Sequence, residues 1–307
     1  MILVTATLPL DAIAHARAVE VGLSTQDWPA WLGDVGKSAG IGAMFAAAGA
    51  GGVLALVRRF PRRAWIPGSV VVVALSAGFV FLSPLVLEPL FNRFTPLPPG
   101  ELRSEVLAIA ERSGVEVGEV YRVDASRRTT GANAYVGGLG STKRVVLYDT
   151  LIERFPPDQV RSVVAHELGH VEGRDLLRGL AWLALVTPAA LFLAQVLAER
   201  AWRPASGADS RLAATPAALP AIALSLALVS FAVGAAGNVL SRQVEARADG
   251  FALRMTQEPG AFIGLERGLS VSNVSEPDPP AAWHLLLGTH PTTLERIGFG
   301  LTFARER

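Results

Sequence analysis

The sequence has no cysteine and little charge. Without cysteine the chain has no disulfide, no thiolate nucleophile and no cysteine-ligated metal, so any bound metal must be held by His, Asp or Glu. Charged residues make up 18% of the chain and the formal net charge is +1, which leaves no field of one sign to attract nucleic acid. We therefore expect no nucleic-acid partner.

Apolar residues are abundant instead. They make up 50% of the 307 residues, and the mean hydropathy of +0.37 is high for a soluble domain. Four stretches contain no charged residue and are long enough to supply the roughly 20 residues that cross a bilayer. They are Ser38 to Val57, the stretch between Arg63 and Glu88, Gly179 to Ala198, and the stretch between Arg211 and Arg242. We predict four transmembrane helices in a lipid bilayer. The alternative is a set of buried helices in a large soluble core, and four such lengths are improbable in one soluble domain.

A more polar region lies between the second and third of these stretches. Its apolar residues recur at helical spacing over Glu101–Ser113, and Gly114 follows as a stop signal. Short strands are predicted over Glu119–Val123 and Arg144–Tyr148, with a second helix after them. We divide the chain into residues 1–90 with two transmembrane helices, 91–178 as the soluble catalytic part, 179–241 as a transmembrane hairpin, and 242–307 as a C-terminal part.

The second helix contains the motif HELGH. His166 and His170 are four residues apart, so both imidazoles lie on one face of a helix and reach a single metal ion. Glu167 lies beside the first ligand, where a carboxylate can take a proton from a metal-activated water and pass it to the leaving amine. The alternative is an exposed helix face with two unrelated histidines, which predicts no third ligand.

A third ligand is available after the last apolar stretch. Glu245 and Asp249 share a helix face there, although a solvated helix face also carries such acidic pairs. Two spans separate His170 from Glu245, so the chain crosses the bilayer an even number of times and both residues return to the same side. Two histidines and a glutamate with an open fourth position are the ligand set of catalytic zinc, and we expect one Zn²⁺ per chain. Asp249 is placed to accept a hydrogen bond from a ligating histidine.

Six segments in this order resemble the type I CAAX prenyl endopeptidases, which are multi-span zinc proteases. The segments are PLFNRFTPL, DASRRTTGANAYVGG, KRVVLYDTLIE, HELGH, SRQVEARAD and THPTTLERI. The resemblance implies a mainly α fold, in which a polytopic membrane helix bundle encloses a chamber and a zincin-like α+β catalytic domain closes one end. It also implies proteolysis near the C-terminus of a peptide or protein substrate. Carried over by position, it makes the two histidines and Glu245 the zinc ligands, Glu167 the general base and Asp249 a partner of a ligand.

The same resemblance gives roles to two further segments. Asn133, Ala134 and Tyr135 match the edge strand on which zincin proteases bind substrate by strand addition, and an ordinary turn with a strand start is the alternative. His290 and Arg296 match a late histidine and arginine of the family, and a donor near the zinc would stabilise the oxyanion of the tetrahedral intermediate. For both of these residues a structural role, such as a capped helix start, is the alternative.

The chain departs from the family at its beginning and in its setting. Members of the family carry further membrane helices before the segment that resembles LPLDAIAHARAVEVGLSTQ, where this chain nearly begins. The Ala-, Arg- and Gly-rich composition suggests a bacterium, so we expect the substrate to be a membrane-associated or misfolded polypeptide rather than a prenylated one.

Arginine placement bears on orientation. Loops opposite the metal site carry Arg58, Arg59, Arg62, Arg63, Arg200, Arg203 and Arg211. By the positive-inside rule these would place the catalytic side outside the cytoplasm. The resemblance implies a cytoplasmic site, and span ends on the catalytic side also carry arginines, namely Arg174, Arg178, Arg242 and Arg247. We expect a cytoplasmic catalytic side in a bacterial cell membrane.

Three functions follow from these patterns. The first is an active zinc endopeptidase. The second is a quality-control protease of the heat-shock type, which would use the same site and differ in substrate range. The third is a membrane scaffold with an inert metal site, and the presence of Glu167 speaks against it because a scaffold has no need of a base.

Overall fold

Helices dominate the structure, a computed structural model that describes residues 2–138, 143–202 and 216–306. The helices are α1 (Ile2–Glu20), α2 (Trp28–Arg59), α3 (Trp65–Val86), α4 (Glu88–Phe91), α5 (Glu101–Arg112), α6 (Asp149–Arg154), α7 (Pro157–Glu172), α8 (Asp175–Ala201), α9 (Leu219–Thr256), α10 (Pro259–Ser272), α11 (Ala281–Leu287) and α12 (Thr293–Arg305). The strands are β1 (Phe94–Pro96), β2 (Glu119–Val123), β3 (Ala134–Gly137) and β4 (Arg144–Tyr148).

Four of these helices are long and apolar enough to cross a membrane, and they contain the four predicted stretches. They cover Trp28–Arg59, Trp65–Pro84, Asp175–Ala201 and Pro216–Thr256. Most of their apolar side chains are not buried by protein; Val70 is 69% exposed and Leu185 is 73% exposed. Such surfaces are stable against lipid rather than water. The prediction of four transmembrane helices is confirmed, and the protein is an integral membrane protein. Arg203 and Arg211, two of the loop arginines considered under the positive-inside rule, lie outside the described residues.

The described chain forms two compact units, each assembled from separate stretches. One consists of Gly33–Val80 and Leu177–Gly237. Within it, Gln195 accepts a hydrogen bond from the backbone N–H of Trp65 over 3.3 Å, and the Trp65 ring meets Phe192 edge to face at 5.7 Å. The other unit consists of Ile2–Leu32, Phe81–Leu176 and Asn238–Arg307. The division into four consecutive segments stays a prediction.

The second unit contains a four-stranded sheet in the order β1-β2-β4-β3. Strands β2 and β4 are parallel, and the two outer strands run antiparallel to their neighbours. The central strand β4 is buried on both faces because Val145, Val146 and Leu147 have no exposed surface. Strands β2 and β4 form at the predicted bounds. The outer position of β3 leaves one of its edges without a partner strand among the described residues.

Two helices cover the sheet and form its core. Helix α5 contributes Val106 and Ile109, and α7 contributes Val164 and Leu168; all four are almost fully buried. Burying such a side chain contributes about 2 kcal/mol each to stability. Helix α5 agrees with the predicted helix, and it ends where Gly114 takes a φ of 69°, a conformation that favours glycine. The core thereby fixes α7, which carries HELGH, against the sheet.

Candidate active site

The metal-binding motif lies on α7 where a second helix approaches closely. A Cβ atom at Gly169 would lie 3.1 Å from the Phe251 ring and 3.3 Å from the Cα of Ala248 on α9. Any larger residue would push the two helices apart. This close approach explains the glycine within HELGH, and it brings the acidic face of α9 next to the two histidines.

Three ligand atoms converge between α7 and α9. The Nε2 atoms of His166 and His170 are 3.1 Å apart. The carboxylate of Glu245 lies 3.2 Å from the first of these nitrogens and 3.6 Å from the second. A tetrahedral zinc site with bonds of 2.0–2.1 Å separates its ligand atoms by about 3.3 Å. The three side chains therefore fit a single ion of that size and geometry.

The hydrogen bonds of the two imidazoles also fit a cation. The Nδ1 atom of His166 is 2.8 Å from a carboxylate oxygen of Asp249, and Nδ1 of His170 is 2.9 Å from one of Asp175. Because a carboxylate only accepts, each Nδ1 carries the hydrogen, and each neutral ring presents a lone pair at Nε2. These lone pairs face the Glu245 carboxylate, whose Oε2 is buried without a hydrogen-bond partner among the described residues. Only a cation relieves the repulsion between such groups.

When no metal is bound, a proton on His166 relieves part of the repulsion between its ring and the Glu245 carboxylate. Burial by itself lowers the pKa of His166, but the nearby carboxylates of Asp249 and Glu245 outweigh it and raise the pKa to about 9. Metal binding requires the neutral imidazole, so a metal ion and a proton compete for the same nitrogen.

Glu167 is the neighbouring carboxylate that does not belong to the ligand set. Burial raises its pKa, and the imidazoles of His166 and His170 oppose that rise. A raised pKa makes a carboxylate a better proton acceptor near neutral pH. Its place beside the ligands and its pKa both suit a general base.

Two arginines hold the carboxylates behind the histidines. Asp249 has no exposed surface and pairs with Arg296, whose Nε donates over 2.8 Å. The same guanidinium donates to Glu266 over 2.8 Å. The second carboxylate, Asp175, pairs with Arg247, which also donates to the backbone carbonyl of Gly169 over 3.3 Å.

Sequence reasoning missed three members of this network, and each had only a weak signal. Asp175 is an acidic residue in the first turn of a transmembrane helix, where the helix dipole alone would favour it, so its position did not indicate a role in the site. Arg247 lies between the two acidic residues of α9, and Glu266 lies within the apolar helix α10. The role that the resemblance implies for Arg296, a donor that binds the substrate oxyanion, stays a prediction, and its two ion pairs favour the structural alternative.

His290 approaches the ligand cluster from the chain after α11. Its Nε2 lies 3.5 Å from Oε2 of Glu245, and its side chain is 58% exposed. Its Nδ1 is 2.8 Å from the hydroxyl of Thr289, and its carbonyl accepts from Nε2 of His284 over 2.8 Å. The imidazole is thus held beside the metal ligands while remaining open to a bound substrate.

The predicted substrate strand is β3, which packs against α7. The carbonyl of Asn133 accepts from the N–H of Tyr148 over 3.0 Å, and its side-chain oxygen accepts from the N–H of Ala134 over 2.9 Å. The Tyr135 hydroxyl donates to Glu88 over 2.6 Å; burial and this acidic partner raise the pKa of Tyr135. Ala134 and Tyr135 thus begin an outer strand. Both the substrate role and the alternative of an ordinary turn with a strand start agree with this, so the substrate role stays a prediction.

Comparisons with known proteins agree with this geometry. The profile described as peptidase family M48 matches residues 96–299. An "uncharacterized metalloprotease YhfN" of Bacillus subtilis is 31% identical over 292 residues, which is 95% of this chain and 68% of that protein. A "CAAX prenyl protease 1 homolog" of Oryza sativa is 45% identical over 98 residues, 32% of this chain and 23% of the rice protein. The crystal structure of S. mikatae Ste24p superimposes with a TM-score of 0.84 and 22% identity, covering 96% of this chain and 72% of that one.

Proposed function

This chain belongs to peptidase family M48, and on that premise we propose that it is a zinc-dependent endopeptidase that cleaves membrane-associated peptides or proteins. The metalloprotease class follows from the family. The choice of zinc rests on the convergence of His166, His170 and Glu245 at spacings close to those of a tetrahedral zinc site. Two histidines with one carboxylate and an open fourth position are the donor set of catalytic zinc sites.

The chemical step divides among few residues. His166, His170 and Glu245 would hold the zinc ion, which would supply Lewis-acid polarisation of the scissile carbonyl and activation of a water molecule. Glu167 takes a proton from the attacking water as its oxygen bonds to the carbonyl carbon. Glu167 then gives that proton to the leaving nitrogen as the carbon–nitrogen bond breaks, so the products are a carboxylic acid and an amine. His290 donates to the oxyanion that forms in between. Asp249 and Asp175 keep the two ligating rings oriented.

The substrate would bind in an extended conformation along β3. An antiparallel strand directs the N–H and C=O of alternate residues to opposite sides. Because Asn133 pairs with β4, the backbone groups of Ala134 and Val136 point to the free edge. A peptide added there would gain main-chain hydrogen bonds without a strict sequence requirement.

Substrate range separates two versions of this function. A specific endopeptidase and a quality-control protease of the heat-shock type would share the ligands and the base. The similarity to YhfN of Bacillus subtilis over nearly the whole chain supports a bacterial setting. A bacterial setting in turn favours a substrate without a prenyl group. The family match removes the third candidate, an inert scaffold.

We place the catalytic side in the cytoplasm of a bacterial cell. The resemblance to CAAX prenyl endopeptidases and the arginines near the span ends on the catalytic side support this orientation. A reporter fused after Arg307 that is active only on the cytoplasmic side would agree. A reporter active only outside the cytoplasm would reverse the orientation.

Metal analysis combined with peptide cleavage tests the proposed function. The purified full chain should contain one zinc per molecule, lose cleavage of a fluorogenic peptide on chelation, and regain it when zinc returns. Glu167→Gln keeps the size of the side chain but removes the base, so zinc content should be unchanged while kcat falls by several powers of ten. Unchanged turnover in that variant would rule out Glu167 as the base.

A further inference from the structure

The side chain of Asn273 makes two hydrogen bonds to one backbone residue beside β3. Asn273 follows the last turn of α10, and its Oδ1 accepts from the N–H of Ala132 over 2.9 Å. Its Nδ2 donates to the carbonyl of the same residue over 3.2 Å. One donated and one accepted bond to a single residue is the pattern that a neighbouring antiparallel strand supplies.

Ala132 lies two residues before Ala134. In an extended chain the backbone N–H and C=O of Ala132 therefore point to the same side as those of Ala134. That side is the free edge of β3, where an incoming peptide would pair with Ala134 and Val136. The Asn273 amide therefore occupies the pairing position just upstream of the one open to substrate.

The surrounding contacts make this pairing rigid. A Cβ at Gly131 would lie 2.8 Å from Oδ1 of Asn273, so only glycine permits the approach. The carbonyl of Gly131 accepts from the hydroxyl of Thr150 over 2.7 Å, and the carbonyl of Thr130 accepts from the hydroxyl of Ser272 over 3.0 Å. Ala132 itself is 3% exposed. The Asn273 bonds are thus shielded from competing water, which strengthens them.

We propose that Asn273 is a positioning residue that closes the upstream end of the β3 edge and thereby sets the register in which a peptide substrate binds. This inference rests on the proposed function, because register matters only if β3 binds the substrate. A strand has a period of two residues, so a peptide whose first paired residue lay opposite Ala132 instead of Ala134 would be displaced by two residues and would present a different bond to the metal. By occupying Ala132, Asn273 removes that second register.

Asn273→Ala tests the inference on the full chain in detergent micelles. We expect the zinc content to be unchanged. For a ten-residue peptide, kcat/KM should fall about tenfold with most of the change in KM, since the loss of buried hydrogen bonds loosens the edge. Mass spectrometry of the products should show a new cleavage two residues from the wild-type one. For a tripeptide-sized substrate, which is too short to reach Ala132, kcat/KM should change less than twofold.

Two further variants separate positioning from general damage. Gly131→Ala forces Asn273 away from Ala132 and should reproduce the displaced cleavage. Gln257→Asn alters an exposed amide just before α10, at the end away from Asn273. The Nε2 of Gln257 donates to the carbonyl of Arg254 over 2.8 Å, and this variant should leave the product pattern unchanged. Equal losses on long and short substrates, or a single unchanged cleavage site in Asn273→Ala, would overturn the register role. A wild-type protein without chelator-sensitive cleavage would refute the proposed function itself.

Discussion

The two histidines of the candidate metal site are supported by the same kinds of side chain but in different environments. Each imidazole bonds to an aspartate, and each aspartate pairs with an arginine. Behind His166 the aspartate side chain is 0% exposed and the arginine 13% exposed. Behind His170 the corresponding values are 11% and 32%. His166 is therefore supported by a desolvated ion-pair network, and His170 by a partly hydrated one.

Burial changes what each network contributes. In the buried network, removing one charge leaves its partner uncompensated in a medium of low dielectric constant, which costs about 3–5 kcal/mol. In the partly hydrated network, where the Arg247 side chain is 32% exposed, water and salt screen part of the lost interaction, so the loss should be smaller. Variants behind His166 should therefore lose more zinc affinity and stability than variants behind His170, although the hydrogen bonds to the two histidines have nearly equal lengths.

Asp249→Ala should have the largest effect. It removes the acceptor for His166 and leaves Arg296 with one carboxylate in a buried site. We expect zinc affinity, measured by competition with a fluorescent chelator, to fall about a hundredfold and the protein to lose about 3–5 kcal/mol of stability. Asp249→Asn still accepts hydrogen bonds, so its losses of zinc affinity and of stability should be smaller. Equal behaviour of the two variants would show that the charge, not the hydrogen bond, supports the ligand.

Asp175→Ala tests the hydrated side. The lost hydrogen bond to His170 should lower zinc affinity about tenfold, with a loss of stability of roughly 1 kcal/mol. Glu172→Ala is the matched control, because Glu172 is 51% exposed and pairs with Arg247 at 3.5 Å. That control should change zinc affinity less than twofold. If Asp175→Ala equals Asp249→Ala in both measurements, burial does not distinguish the networks.

The smallest effect concerns Glu266, the extra carboxylate on the buried side. Burial raises its pKa to about 7, although Arg296 opposes the rise. Between its unfolded value of 4.5 and about 7, the folded protein therefore binds more protons than the unfolded chain, so stability from this residue falls as pH rises through that window. Glu266→Gln is neutral throughout and should remove this slope. The check is Tm of both proteins between pH 4.5 and 8, where parallel curves would contradict the raised pKa.

Much of the architecture was predictable because it depends on local pattern. The four apolar helices follow from their length, and strands β2 and β4 follow from runs of β-branched residues. The pairing of His166 with His170 needs only one helical turn. Glu245 required one further step, the even number of crossings between it and His170.

The support of the site was not predictable in the same way. Asp175, Glu266 and Asn273 lie outside the six segments that carry the resemblance. Asp175 bonds to His170 five residues away, whereas the roles of Arg247, Glu266 and Asn273 depend on partners much farther away in sequence. The Asn273 pairing spans 141 residues. Nothing in the local pattern of α10 distinguishes that asparagine from an ordinary residue at a helix end.

Hydrophobic length and helical period are properties of neighbouring residues, so the order of amino acids alone predicted the four apolar spans and the candidate ligand atoms. Only the tertiary structure decided which charges are buried together and which backbone edge is closed. The free energy of a buried charge or an occupied strand edge depends on what packs against it, and packing is settled by the whole fold.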